Sequence, residues 1–279
     1  MRIALIRQRY NPYGGAERFI ERAMAALREG QQLDVSIVAR DWQSAAGDAN
    51  SLECDPFYIG RTWRDWGFAR SACRLLAGHK FDLVQSHERL ACCDIFRAGD
   101  GVHAQWLSNR ARAMGATARW IQAISPWHRY TLAAERRLFA SRRLKAVICN
   151  SKMVAAEIRR HFGTPPEKLH VIYSGVDLER FRPQDPLRAS LRARLGIAAD
   201  DMVFLFVGSG FERKGMSQLL QAFARLRPTG AGKARLLIVG EDRRSAAWQA
   251  EASALGIAPR AHFAGSQRDT VSWYAAADC

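Results

Sequence analysis

The run from Val207 to Gly215 combines glycines with positive charge at the junction of a predicted strand (202–207) and a predicted helix (216–226). Glycines at such a turn let backbone N–H groups approach a ligand closely, and the helix N-terminus adds partial positive charge. Arg213 and Lys214 place two full positive charges on the same turn. The pattern predicts a binding site for a diphosphate, and a tight turn with a solvated basic pair is the alternative.

The spacing of the glycines excludes two familiar nucleotide-binding loops. A dinucleotide-binding fingerprint needs a glycine three residues after Gly210, where this sequence has Arg213. A P-loop ends in Gly-Lys followed by Ser or Thr, whereas here Gly215 follows Lys214. We therefore interpret the run as a phosphate-binding turn of another kind.

Predicted strands and helices alternate along the chain, as in doubly wound α/β sheets. The first series has strands at 3–7, 33–39, 57–59, 83–86, 95–98, 146–150 and 169–173, and helices at 16–28, 63–77 and 151–161. After a linker at 183–186, the second series has strands at 203–207, 235–239 and 262–264, and helices at 216–226, 246–255 and 270–277. We predict two Rossmann-like domains, 1–182 and 183–279, with ligands at the carboxyl ends of their strands in a cleft between them.

Positive charge is concentrated in one segment, residues 106–145. The whole sequence has a net charge of +15, and this segment contributes nine Lys or Arg residues against a single acidic residue, Glu135. Its aromatic residues are Trp106, Trp120, Trp127, Tyr130 and Phe139. Cations interleaved with aromatic rings favour binding to an anionic membrane surface or to nucleic acid, and a solvated helix face is the third interpretation.

Composition limits the remaining classes of protein. A chain of 279 residues with 48% hydrophobic residues is long enough and apolar enough for two globular domains. We expect a cytoplasmic protein, because the opening apolar run is too short for a signal peptide and no apolar run is long enough to span a membrane. The six cysteines lack CxxC spacing and the seven histidines are scattered, so we expect reduced thiols, no disulfides and no metal site.

Five motifs in order resemble those of the family 4 retaining glycosyltransferases, which have the GT-B fold: two Rossmann-like, doubly wound α/β domains facing each other across a cleft. The motifs are Gly14-Gly15-Ala16-Glu17-Arg18, the stretch from Val171 to Phe181, the run from Gly208 to Gly215, Val239-Gly240-Glu241, and Ala275-Ala276-Ala277-Asp278. Within this family, the stretches 10–15, 93–100 and 208–215 most resemble lipopolysaccharide core glucosyltransferases that use UDP-glucose. The resemblance covers essentially the whole chain.

The resemblance implies a nucleotide-sugar donor, transfer with retention, and no metal or other cofactor. The donor-binding residues that it implies are Gly14, Gly15, Gly208, Arg213, Lys214 and Glu241. Arg213 and Lys214 would stabilise the negative charge that develops on the departing UDP. Gly14 and Gly15 would let a loop of the first domain approach the donor phosphates and sugar.

Two residues are candidates for catalysis on the same ground. Asp100 would orient the donor sugar or accept the proton of the acceptor hydroxyl, and His103 competes for that role. The carboxylate Glu88 and its neighbour His87 follow another strand and could touch the acceptor. The acceptor would be a lipid-linked saccharide, reached by docking residues 106–145 on the anionic inner face of the bacterial inner membrane, with no nucleic acid bound.

The sequence ends at Cys279, before the two glutamates, separated by seven residues, that family members carry shortly after the Ala-Ala-Asp motif. We therefore expect the C-terminal domain to be incomplete in this chain. Two other classes stay open. One is a basic nucleic-acid-binding protein, although the sequence has no zinc-finger, RNP or helix-turn-helix signature. The other is a nucleotide-sugar epimerase of the GT-B type.

Overall fold

The computed structural model of the chain describes residues 1–9, 33–40, 50–112, 114–226 and 233–279. The chain divides into two compact units, Met1–Ser174 and Gly175–Cys279, and each is built around a parallel sheet. The α/β class predicted from the alternation of strands and helices is confirmed. The domain limits at residues 182 and 183 stay a prediction.

Seven parallel strands form the sheet of the first unit, in the order β3-β2-β1-β4-β5-β6-β7. Their bounds are β1 Arg2–Ile6, β2 Asp34–Ala39, β3 Asn50–Glu53, β4 Leu83–Ser86, β5 Ile95–Ala98, β6 Ala146–Cys149 and β7 Leu169–Val171. Parallel sheets are covered on both faces, and β1 accordingly buries every residue after Arg2. The strand order reverses between β1 and β4, and ligands bind at the carboxyl ends of strands beside such a point.

Five α-helices of the described residues belong to the first unit: α1 Gly60–Ala77, α2 His103–Arg112, α3 Ala116–Ile124, α4 Pro126–Phe139 and α5 Lys152–Phe162. As predicted, α5 begins after Ser151, whose Oγ accepts a hydrogen bond from the Val154 N–H at 3.2 Å. Most of the basic segment lies in α2, α3 and α4. The predicted helix at 16–28 lies outside the described residues.

The core of the first unit joins its sheet to α1, α4 and α5. Phe68 of α1, Leu138 of α4 and Ile158 of α5 are all fully buried against it. Burying side chains of this size gives each helix on the order of 2 kcal/mol per residue toward its position. The helices therefore hold the strand ends, and the loops that follow them, in fixed places.

The second unit has three parallel strands in the order β10-β9-β8. Its elements are α6 Asp185–Arg194, β8 Met202–Val207, α7 Met216–Arg225, β9 Ala234–Val239, α8 Ser245–Ala254, β10 Ala261–Gly265 and α9 Val271–Ala276. Asp278 connects α6 to β8, because its Oδ2 accepts hydrogen bonds from Arg192 Nη2 at 2.8 Å and from the Val203 N–H at 2.7 Å. The Ala-Ala-Ala-Asp motif therefore ends in a structural ion pair.

Two segments differ from the sequence-based prediction. Residues 57–59, expected as a strand, are not one, and Asn50–Glu53 instead pairs with β2. Phe57 and Ile59 are 73% and 69% exposed, so these apolar side chains are not buried by a sheet. The expected linker at 183–186 overlaps the start of α6 at Asp185. Pro186 does not prevent the helix there, because proline is tolerated in the first turn of a helix.

Cys73 and Cys92 form a disulfide, so the expectation of reduced thiols is wrong for this pair. Cys73 lies in α1 and Cys92 in the loop between β4 and β5, with their Cα atoms 5.8 Å apart. The two cysteines are 19 residues apart, and only the packing of α1 beside this loop brings them together. The other four cysteines, Cys54, Cys93, Cys149 and Cys279, are free.

Candidate functional site

The glycine-rich turn between β8 and α7 needs backbone conformations that favour glycine. Gly210 and Gly215 have φ of +69° and +79°, which residues with a Cβ rarely adopt. The ten-residue helix α7 begins immediately afterwards, at Met216, whose side chain is buried in the core. The turn therefore presents a helix N-terminus at the carboxyl end of β8, which is the arrangement that binds anions.

Lys214 folds back over the turn that carries it. Its Nζ occupies the space that a Cβ on Gly208 would fill, so a larger residue at position 208 would displace the ammonium. Partial burial, and then the neighbouring Arg213, lower the pKa of Lys214. Two cations this close repel each other, and an anion bound beside both would relieve that repulsion.

A close backbone approach fixes the turn against β9. A Cβ on Gly240 would overlap the carbonyl oxygen of Gly208. The Gly208 N–H donates to the Val239 carbonyl and the Gly240 N–H to the Gly265 carbonyl, both at 2.8 Å. Main-chain hydrogen bonds thus connect the segments that follow β8, β9 and β10, and the sheet itself sets the position of the glycine-rich turn.

Asp242 is a positioning residue that the sequence analysis missed. Its Oδ2 accepts a hydrogen bond from the Phe211 N–H at 2.9 Å, inside the glycine-rich turn. Its Oδ1 accepts from the Arg244 N–H at 2.9 Å and from Trp248 Nε1 at 3.3 Å. These hydrogen bonds, led by that of Arg244, lower the pKa of Asp242. An aspartate directly after Val239-Gly240-Glu241 was the available signal.

Glu241, a predicted donor-binding residue, is exposed just after β9. Ser266 Oγ donates a hydrogen bond to its Oε2 at 3.3 Å, so the carboxylate lies beside the segment that follows β10. It therefore belongs to the same edge of the second unit as Gly208, Arg213 and Lys214. Its contact with a nucleotide stays a prediction.

Asp100, a predicted catalytic residue, is exposed in the loop after β5. Arg97 is buried in β5, and burial and then the charge of Arg7 lower its pKa. The negative charge of Asp100 raises the pKa of Arg97 and so partly offsets both effects. An exposed carboxylate at a carboxyl strand end suits contact with a ligand, and the catalytic role stays a prediction.

His103, the other catalytic candidate, is buried at the start of α2. Its ring Nε2 lies 3.0 Å from His128 Nδ1, and its ring stacks on Trp106 with centroids 5.4 Å apart. Burial, then Arg89, His128 and Arg61, lower the pKa of His103 to about 4. The ring is therefore neutral near pH 7, and its packing in an aromatic cluster gives it a structural role as well.

Charged groups also meet where β1 and β4 end. Glu88 Oε1 accepts a hydrogen bond from the Gln8 N–H at 3.0 Å and pairs with Arg7 Nη1 at 3.4 Å. Burial, then Arg97 and Arg7, lower the pKa of His87 to about 3. His87 and Glu88, which the sequence placed on the acceptor side, thus lie beside the point where the strand order reverses.

Gly14 and Gly15, the two donor-binding candidates of the first unit, lie outside the described residues. Within the described ranges, no group of three or more His, Cys, Asp or Glu side chains is placed to hold a metal ion. Among the same residues, no helix combines the length and the apolar character that crossing a membrane requires.

Family models cover most of the chain. Residues 13–180 match Glycosyltransferase Family 4, and residues 188–279 match Glycosyl transferases group 1. The chain belongs to glycosyltransferase family 4. This membership confirms the resemblance found in the five sequence motifs, and it favours glycosyl transfer over the epimerase and nucleic-acid-binding alternatives.

Among curated relatives, this family 4 glycosyltransferase is similar to the lipopolysaccharide glucosyltransferase WaaG of Escherichia coli K12, with 25% identity over 285 residues, covering all of this chain and 73% of WaaG. It is also 35% identical over 162 residues to the D-inositol 3-phosphate glycosyltransferase of Streptomyces bingchenggensis. That match covers 54% of this chain and only 33% of the relative. The chain thus spans about three quarters of one relative and a third of the other.

Solved structures show the fold of this family 4 glycosyltransferase. The crystal structure of WaaG matches with a TM-score of 0.85 at 24% identity, covering 99% of this chain and 73% of WaaG. Anabaena Alr3699/HepE, solved with UDP-glucose, matches with a TM-score of 0.70 at 18% identity, covering 100% of this chain and 72% of that one. The predicted GT-B fold class is therefore confirmed.

Proposed function

We propose that this glycosyltransferase moves a hexose, in the first instance glucose, from a UDP-sugar to a lipopolysaccharide core or related glycolipid acceptor, with retention at the anomeric carbon. The observation that carries the proposal is the glycine-rich turn with Arg213 and Lys214 at the N-terminus of α7. Relatives support it, because WaaG is a lipopolysaccharide glucosyltransferase and HepE was solved with UDP-glucose.

The turn suits the charge that the reaction creates. Breaking the bond between glucose and UDP leaves negative charge on the β-phosphate, and fixed cations and N–H groups stabilise such charge most when they are already in position. Lys214 rests on Gly208, and Asp242 holds the Phe211 N–H in the same turn. These groups offer the leaving diphosphate two cations and a helix N-terminus, and we expect no metal requirement.

Calorimetric titration of the full-length protein with UDP tests this assignment. Replacing Arg213 and Lys214 together with alanine is expected to weaken UDP binding by about 1.5–3 kcal/mol for each charged hydrogen bond lost. Arg225→Ala is the matched control, because it removes a cation from the last turn of the same helix. Unchanged UDP affinity in the double variant would reject the site.

We further propose that the first unit docks on the anionic inner face of the bacterial inner membrane. Helix α3 buries none of its residues, and Trp120, Ile121 and Ile124 are 64%, 57% and 48% exposed. Nine Lys or Arg residues belong to the same sequence segment, residues 106–145. Aromatic side chains settle at the lipid headgroup level, and each Lys or Arg near an anionic surface contributes about 1 kcal/mol.

A second exposed apolar group lies in the same unit, at the start of α1. Phe57, Ile59 and Trp63 precede or begin α1, and Trp63 is 45% exposed. The Arg61 guanidinium of α1 lies over the ring of Trp127, 4.0 Å from its centroid, and Trp127 is in the first turn of α4. We include this second exposed apolar group in the proposed docking surface of the first unit.

A further inference from the structure

A pocket of about 50 Å³ lies in the first unit, beside the carboxyl ends of β1 and β4. Phe68 and Leu90 give it an apolar lining, and both are fully buried. Helices α1 and α4 contribute further lining residues, including Trp127 and Tyr130. It thus lies where the strand order reverses, which is where doubly wound sheets bind their ligands.

Unused hydrogen-bonding groups line this pocket. Within the described part of the chain, the Tyr130 hydroxyl has no hydrogen-bond partner. Burial raises the pKa of this side chain to about 12, so the hydroxyl keeps its proton near pH 7 and can donate a hydrogen bond. Glu88 uses Oε1 for its bonds to Gln8 and Arg7, which leaves Oε2 as an acceptor. Arg89 uses Nε for Glu135, which leaves its terminal N–H groups as donors.

The charges around the pocket select against an ionic ligand. Glu88 and Asp65 would repel an anion, whereas Arg89 would repel a cation. A neutral group with hydroxyls fits better, since each hydroxyl both donates and accepts a hydrogen bond. The available volume holds about three to five waters, at roughly 10–15 Å³ each, or one short polyol arm.

We propose that this pocket binds the exocyclic hydroxymethyl or diol arm of the acceptor saccharide, with Tyr130 and Glu88 hydrogen-bonding its hydroxyls. The CH groups of such an arm contact Phe68 and Leu90, and its oxygens meet the polar groups at the rim. The inference rests on the proposed glycosyl transfer and assigns part of the acceptor to named residues of the first unit.

The test pairs one change in the protein with one change in the ligand. The probes are methyl α-D-glucopyranoside and its 6-deoxy analogue, which lacks only the exocyclic hydroxyl, titrated into the full chain by NMR. Wild type is expected to bind the parent glycoside about two- to tenfold more tightly, the size of one neutral hydrogen bond. Tyr130→Phe, which keeps the ring, is expected to abolish this preference.

Tyr173→Phe is the matched control, because Tyr173 is an exposed tyrosine of the same unit, and it should keep the wild-type preference. Equal binding of the two glycosides by wild type, or a preference that survives in Tyr130→Phe, would overturn the proposal, as would no saturable binding of either. Calorimetry with UDP on the same samples separates the two claims. Retained UDP binding with no glycoside preference rejects the pocket alone, whereas lost UDP binding rejects the proposed donor.

Discussion

Glu135 accepts hydrogen bonds from the backbone N–H of His103, at 3.0 Å to one carboxylate oxygen and 3.1 Å to the other. The same carboxylate pairs with Arg89 Nε at 2.9 Å and is only 3% exposed. The single acidic residue of the basic segment therefore lies at the N-terminus of α2, where its negative charge interacts favourably with the positive end of the helix dipole.

Glu135→Gln is expected to destabilise the fold by about 2 kcal/mol, because charged hydrogen bonds to α2 and Arg89 become neutral ones. Urea unfolding at pH 7 measures the change. Glu167→Gln serves as control, since Glu167 is an exposed carboxylate of the same unit, and it should change stability by less than about 0.5 kcal/mol. Equal effects of the two substitutions would show that the buried position of Glu135 is unimportant.

The stability of the fold is expected to fall as the pH drops from about 6.5 to 4, in part through His103. Burial and nearby cations lower its pKa to about 4, so in this range the unfolded chain binds a proton that the folded chain does not. Below about pH 4, His103 is protonated in both the folded and the unfolded state, and the full loss of unfolding free energy due to His103 has been reached. His103→Asn should reduce the difference in unfolding free energy between pH 7 and pH 5.

His79→Asn is the control for this pH experiment, because His79 is exposed at the end of α1. It should leave the pH dependence as in wild type. A pH dependence that His103→Asn does not reduce would contradict a low pKa at this position.

EDTA is expected to leave UDP binding unchanged, because in the proposed donor site Arg213 and Lys214 would provide the positive charge that a divalent metal supplies in other transferases. Calorimetry with and without the chelator measures this. UDP binding that appears only when Mg²⁺ is added would contradict the expectation and would point to a metal held by the diphosphate itself.

Binding to phosphatidylglycerol vesicles is expected in low salt and should be released by high salt, because surface charges are screened. Replacing Arg136, Arg137, Arg142 and Arg143 with glutamine should abolish co-sedimentation, and Trp120→Ser with Ile121→Ser should weaken it. Val176→Ser with Leu178→Ser is the control, since these apolar side chains of the second unit are exposed to a similar extent. Equal binding to neutral vesicles would argue against charge as the cause.

Thiol titration in denaturant without reductant is expected to find four reactive cysteines, because Cys73 and Cys92 are joined. Adding a reductant and removing it before the titration should raise the count to the six cysteines of the sequence. Six reactive thiols in the untreated protein would contradict the disulfide.

Local sequence signals predicted those elements that local forces determine. Strands β4 and β5 have the predicted bounds, because short apolar runs there end at turn residues, and Ser151 caps α5 through its own side chain. The order of the motifs predicted the family. The fold class followed from the alternation of elements, without knowledge of any long-range contact.

Features that depend on distant partners were not predictable in this way. Strand Asn50–Glu53 has no apolar alternation and exists because it pairs with β2. The disulfide requires α1 to pack beside the loop that carries Cys92. In the sequence, little distinguishes Asp242 from the other carboxylates; its role depends on the hydrogen bond that it accepts from the Phe211 N–H. The positions of Gly14 and Gly15 lie outside the described residues.

The contact between Lys214 and the backbone at Gly208 has a consequence for the strength of binding at the proposed donor site. A free lysine side chain gives up rotational freedom worth up to about 2 kcal/mol when it is immobilised. A lysine side chain that already lies against Gly208 in the free protein loses less of that freedom when a ligand binds. At the proposed donor site, less of the binding energy of a diphosphate would then be consumed in ordering this side chain.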